Sequence, residues 1–296
     1  MIPPYSAEAL ADLYNNSRAV PEYPAYLERW QSRSQVLRTL LSYSADIVYG
    51  PAPRNRIDLF LPEAPGASTT AMSVKNEWPL LIFLHGGYWQ YLGKHDWSCV
   101  AAPFIARDMA VAIVGYTLCP ETTVRGIVDE VETACVHLYL HAGEYGLDRG
   151  QFHVAGHSAG GHLAAMLVTA RWPARNANLP EQLFQSAVAV SGIFDLEPLT
   201  LTPLNAALRL TSEDALGVSP IFRGNLANTP LLAVVGASET AEFLRQSQAL
   251  CAVWPNAHYL EAPGLNHFSV IDAFHDPASS LFKAVWQHLN AGKPTP

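Results

Sequence analysis

The chain has 296 residues, 49% of them apolar and 15% charged, and a formal net charge of -8. That balance can bury a substantial core. It excludes a disordered chain, and the scattered Lys and Arg residues exclude a surface built for nucleic-acid phosphates. Cys99, Cys119, Cys135 and Cys251 follow no CxxC or Cys/His spacing, which argues against a zinc site or a disulfide framework and favours a reducing, cytoplasmic setting. No apolar run approaches the ~18 residues of a membrane span, and Met1 to Leu13 lacks the pattern of a signal peptide.

The first ~40 residues, rich in Tyr, Pro and Arg, stand apart from the rest of the chain. From about Asp46 onward, short β-branched apolar segments alternate with longer segments of helical period, the pattern of parallel strands joined by crossover helices. Strands are expected at Arg56 to Leu61, Pro79 to His85, Ala110 to Thr117, Gln151 to Gly156, Ser186 to Ser191, Pro230 to Ala237 and His258 to Glu261. Pro62 to Asn76 reads as a polar surface excursion. Val124, Val128, Val131, Cys135 and Leu138 recur at steps of four and three, one helical face turned to the sheet. Phe243 to Val253 and Leu281 to Leu289 read as covering helices. The expected architecture is one α/β domain over residues 1–296, with a mostly parallel sheet between helices and with segments 1–40 and 196–228 able to roof a site.

The chemistry concentrates in Gly156-His157-Ser158-Ala159-Gly160, a G-x-S-x-G directly after the strand QFHVAG and directly before the helical GHLAAMLVTA. This is the context of a nucleophile elbow, the serine-bearing turn of the α/β-hydrolase fold. His85-Gly86-Gly87-Tyr88-Trp89 ends another strand and reaches the same carboxyl edge of the sheet. The backbone N–H groups of Gly87, Tyr88 and Ala159 are the expected oxyanion donors. In this fold the acid and then the histidine follow the serine in the chain, which selects His267, just after the last strand, as the base. His162, one turn beyond Ser158, reads as a helix-packing or capping residue. Glu239, after the strand LLAVVGA, is the first choice of acid, and Asp195 is its rival. Tyr88, Trp89 and Tyr116 are candidates for substrate walls.

The segments HGGYW (85–89), GHSAG (156–160) and ETAEFLRQS (239–247) resemble the kynurenine formamidase, or arylformamidase, family of α/β-hydrolases. The resemblance extends to Leu13-Tyr14-Asn15, to Tyr49-Gly50 with the Arg56-to-Pro62 hairpin, and to Gly264-Leu-Asn-His267. It implies cleavage of N-formyl-L-kynurenine to formate and kynurenine through an acyl-enzyme, with Ser158, Glu239 and His267 in the triad positions and no metal or cofactor. Glu239 departs from the aspartate familiar at that place. The expected partner is a small aromatic amide or ester, not nucleic acid or a membrane, and a homodimer stays open. Two other readings are a carboxylesterase or amide hydrolase with a different substrate, and a catalytically silent binding protein on the same fold.

Overall fold

A computed structural model of the protein describes residues 5–62, 77–225 and 228–291. Eight strands form a single sheet in the order β1-β2-β4-β3-β5-β6-β7-β8. They are β1 (Tyr43–Val48), β2 (Arg56–Phe60), β3 (Trp78–Leu84), β4 (Ala110–Val114), β5 (Leu147–His157), β6 (Ser186–Val190), β7 (Leu231–Gly236) and β8 (Ala257–Ala262). The β1–β2 and β2–β4 pairs are antiparallel and the rest are parallel. All seven expected strands are present, with ends shifted by a few residues. The edge strand β1 is an addition to them, because its side chains are mostly exposed and only Tyr43 and Ile47 are partly buried. All of the excursion expected at Pro62 to Asn76 except Pro62 lies outside the described residues.

Seven helices position the site: α1 (Ala7–Leu13), α2 (Tyr23–Leu40), α3 (Val124–Leu140), α4 (Ala159–Val168), α5 (Ala241–Val253), α6 (Ser269–Phe274) and α7 (Ser280–Leu289). Successive side chains of a strand face opposite sides, and β3 shows the consequence. Leu80, Ile82 and Leu84 belong to a core shared with α3, α4 and α5. Leu81 and Phe83 belong to a second core with Trp30, Phe104, α6 and α7. Burial on both faces explains why the strands read as continuous apolar runs. The expected stripe on α3 is buried in the first core along its whole length.

Helix α2 is held against α6 by polar contacts: Arg29 and Trp30 Nε1 donate to the two carboxylate oxygens of Asp272, at 2.6 and 2.9 Å. Arg38 and Lys94 converge on Asp58, which is fully buried on β2, each at 2.5 Å. Lys94 also reaches Asp46 at 2.8 Å. A buried carboxylate is tolerated when such partners surround it, and here it ties α2 and the 3₁₀ turn Lys94–Val100 to the sheet. These anchors fix the segment that leads away from the HGGYW motif.

Candidate active site

Every sequence-predicted catalytic residue comes from the carboxyl ends of the parallel strands. At the end of β5 the chain turns sharply into α4, and Ser158 adopts φ 56° and ψ -117°. The glycines around it are steric necessities. A Cβ on Gly160 would fall inside van der Waals distance of the Leu84 carbonyl, and one on Gly156 would collide with the Gly160 carbonyl. Both obstacles are backbone and cannot swing aside. Gly160→Ala is therefore expected to destabilise the protein by about 3 kcal/mol or more, measured as a lowered urea midpoint; a midpoint equal to that of the parent would contradict this close approach.

After β3, the strap His85–Leu92 holds Gly87 at φ 109°, Tyr88 at 49° and Trp89 at 58°. Three successive left-handed residues make a tight reversal: the Gly87 carbonyl accepts the N–H groups of Gln90 and Tyr91, both at 2.9 Å. Among the described residues, the N–H groups of Gly87, Tyr88 and Ala159 have no acceptor. The far end of the strap is pinned by Arg54, which donates to the carbonyls of Leu92 at 2.5 Å and Tyr116 at 2.9 Å.

His267 Nδ1 lies 2.7 Å from Glu239 Oε2. The other carboxylate oxygen of Glu239 accepts Ser191 Oγ at 2.6 Å and the Gly236 N–H at 2.7 Å. Its side chain is fully buried. The rival Asp195 is buried elsewhere: it accepts the Glu197 N–H at 3.1 Å, and its main chain is held by Gln246. Ser191, at the end of β6 with φ 52°, escapes a reading of the sequence because no motif marks a serine that serves an acid.

Ser158, His267, His157 and Gly87 line one cavity of about 700 Å³. Much of its remaining wall comes from the N-terminal segment, including Asn16, Tyr23 and Trp30, and from Thr202 to Leu204. These residues lie in segments 1–40 and 196–228. Leu13 and Tyr14 are strapped across the site: Thr240 Oγ1 donates to the Leu13 carbonyl at 2.5 Å, the Tyr14 hydroxyl donates to Glu242 at 2.7 Å, and Gln246 donates to that hydroxyl at 2.8 Å. These bonds give the Leu13-Tyr14-Asn15 resemblance a physical basis.

The three candidate substrate walls separate. Tyr88 lines the cavity, and its hydroxyl donates to the Tyr14 carbonyl at 2.5 Å; burial raises its pKa and keeps that proton in place. Trp89 and Tyr116, expected beside the substrate, are instead core residues, since both are fully buried and neither lines the cavity. Trp89 turns edge-on to His162, and Tyr116 stacks on His85 while donating to the His85 carbonyl at 2.7 Å. The aromatic residues that line the cavity include Tyr23, Trp30, Trp97 and Phe268; Phe268 directly follows His267, and the other three lie outside the motifs. His85 and His162 are neutral packing residues, pushed by burial to pKa values of about 3 and about 4. The described residues include no metal-binding cluster and no helix long and apolar enough to cross a membrane.

The family model described as BD-FAE matches residues 69–237. The kynurenine formamidase of Salmo salar is 30% identical over 81% of this chain and 79% of its own. That of Danio rerio is 29% identical, covering 88% and 86%. A solved structure from Silicibacter sp. TM1040, named provisionally as a thioesterase, is 30% identical with a TM-score of 0.80, covering 94% of this chain and 98% of its own. An esterase from Pyrobaculum calidifontis, 20% identical with a TM-score of 0.65 over 97% and 96% of the two chains, shares the fold. The chain belongs to the BD-FAE and kynurenine formamidase family of α/β-hydrolases and is an enzyme that hydrolyses amides or esters.

Proposed function

We propose that the protein is a serine hydrolase of aryl formamides of the N-formylkynurenine type, with Ser158 as nucleophile, His267 as base and Glu239 as the acid that orients it. The carrying observation is the contact of His267 with the buried Glu239 at 2.7 Å, on the wall of a cavity that Ser158 also lines. His267 takes the Ser158 proton as Oγ attacks the formyl carbon, and Glu239 steadies the imidazolium that forms. The N–H groups of Gly87, Tyr88 and Ala159 receive the developing oxyanion. His267 then protonates the leaving aniline nitrogen, and water, activated by the same imidazole, releases formate from Ser158.

The formyl group is small, so most of the cavity serves the leaving group. Tyr23, Trp30, Trp97 and Phe268 supply an aromatic wall for it, and Asn15, Asn16 and Ser17 supply a polar one. Segments 1–40 and 196–228 act as the cover in this reading. A cytoplasmic location belongs to the same proposal, supported by four cysteines that are all free.

The test compares kcat/KM for N-formylkynurenine and formanilide with that for short p-nitrophenyl esters. The formamides are expected to lead by about 100-fold or more. A lead for the esters would favour the carboxylesterase reading. Ser191→Ala is expected to lower kcat by about tenfold, the order of one charge-assisted hydrogen bond to the acid, with KM nearly unchanged. Parental kcat in steady-state assays would remove Ser191 from the acid's support.

A further inference from the structure

His157, the residue before the nucleophile, takes no part in the proton transfers of the triad, yet it makes one directed contact in the site. Its Nε2 lies 2.8 Å from the backbone carbonyl of His267. A carbonyl only accepts, so the imidazole must carry its proton on Nε2 and donate it. Its Nδ1 has no hydrogen-bond partner among the described residues, and it faces Gly86, where a Cβ would come within 3.0 Å of it. The glycine that opens the oxyanion strap thus also makes room for this ring.

We propose that His157 is a positioning residue, holding the loop that carries the base through the main chain of His267 while Glu239 holds the same residue through its side chain. The two contacts act on different atoms of one residue. Nδ1 of His267 is fixed from β7, and its carbonyl is fixed from β5, the strand that also delivers Ser158. Nucleophile and base are thereby referenced to one another through a single residue, His157, adjacent to Ser158 in the chain. This inference rests on the assignment of His267 as the base.

The surroundings keep His157 in the required form. The ring is buried against Trp97 and Trp30, with centroids 5.5 and 6.4 Å away, and against His267 at 4.7 Å. Burial pushes its pKa well below the usual histidine value, and a charge on nearby His267 pushes the same way, outweighing the carbonyl contact. A neutral donor at this place adds no like charge when His267 becomes an imidazolium during the reaction. A lysine or arginine could donate to the same carbonyl but would oppose that charge.

The experiment pairs His157→Leu, which removes the donor at similar volume, with His157→Gln, which restores an N–H. Expected for the leucine variant is a 10- to 100-fold fall in kcat, with KM within about threefold and slower labelling of Ser158 by a fluorophosphonate. The glutamine variant is expected to recover most of that loss. Unchanged kcat in the leucine variant, or equal damage in both variants while thermal midpoints stay at the parental value, would overturn the positioning role. In the unsubstituted enzyme, ¹⁵N-histidine spectra are expected to show His157 as the neutral Nε2–H tautomer at pH 7, assigned by its loss in the glutamine variant. A protonated ring or an Nδ1–H tautomer would overturn the proposal without any need for the leucine variant to fold. If His267→Ala retained parental turnover, the base assignment itself would fail, and that result is distinct from either of these.

Discussion

Ser158→Ala is expected to lower kcat for an aryl formamide or ester by about 10⁴- to 10⁶-fold, the scale on which removal of a triad nucleophile acts in serine hydrolases. The loss follows from chemistry alone, because without Oγ no acyl-enzyme forms and water must attack the carbonyl directly. Some acceleration should survive through the N–H groups of Gly87, Tyr88 and Ala159, which the substitution does not touch. The fold should survive too. Ser158 makes no side-chain cap on α4, and the bond that anchors the turn runs from its backbone N–H to the Val190 carbonyl at 2.8 Å. Alanine keeps that bond and has the same left-handed backbone to adopt. Steady-state rates beside a thermal melt decide the matter: turnover within tenfold of the parent in a folded variant would remove Ser158 from the reaction.

The serine was legible because its constraint is local and steric. Gly156 and Gly160 are required by carbonyls a few bonds or one strand away, and such crowding leaves a short motif. His267 was legible by chain order, since the order of strands fixes which loops reach the carboxyl edge. The sheet was legible because two-sided burial writes continuous apolar runs, and β1 was not because it buries little. Trp89 and Tyr116 were misjudged because closeness to a motif does not say on which side of a strap a ring leaves. Within three consecutive left-handed residues the chain reverses, and Trp89 is carried into the core while Tyr88 stays at the cavity. Trp30 and Trp97 were invisible for a related reason: a segment folded across the site brings them together beside Phe268, and no periodicity distinguishes such rings from packing.

Glu239→Gln is expected to lower kcat by about 10³- to 10⁴-fold while Asp195→Asn stays within about threefold of the parent, and the asymmetry follows from where each carboxylate sits. The Ser191 hydroxyl and the Gly236 N–H both donate to Glu239 Oε1, so a glutamine there must turn its carbonyl oxygen to these two donors. Its NH₂ then faces His267 Nδ1, which can meet it only with a lone pair. That forces the proton onto Nε2, where His267 needs a lone pair to accept the Ser158 proton. Asp195 Oδ1 accepts a backbone donor, the Glu197 N–H, a bond that an asparagine oxygen can keep, whereas His267 Nδ1 is held by Glu239. Because Glu239 does not line the cavity, the loss should fall on kcat, with KM within about threefold. Comparable losses in the two variants, or a loss carried by KM, would contradict Glu239 as the acid. The extra methylene of glutamate has its reason in the same contacts, since one carboxylate must span from the β6 and β7 ends to the imidazole. Glu239→Asp cannot keep all three partners without moving the backbone, and it should fall between the parent and the glutamine variant in kcat.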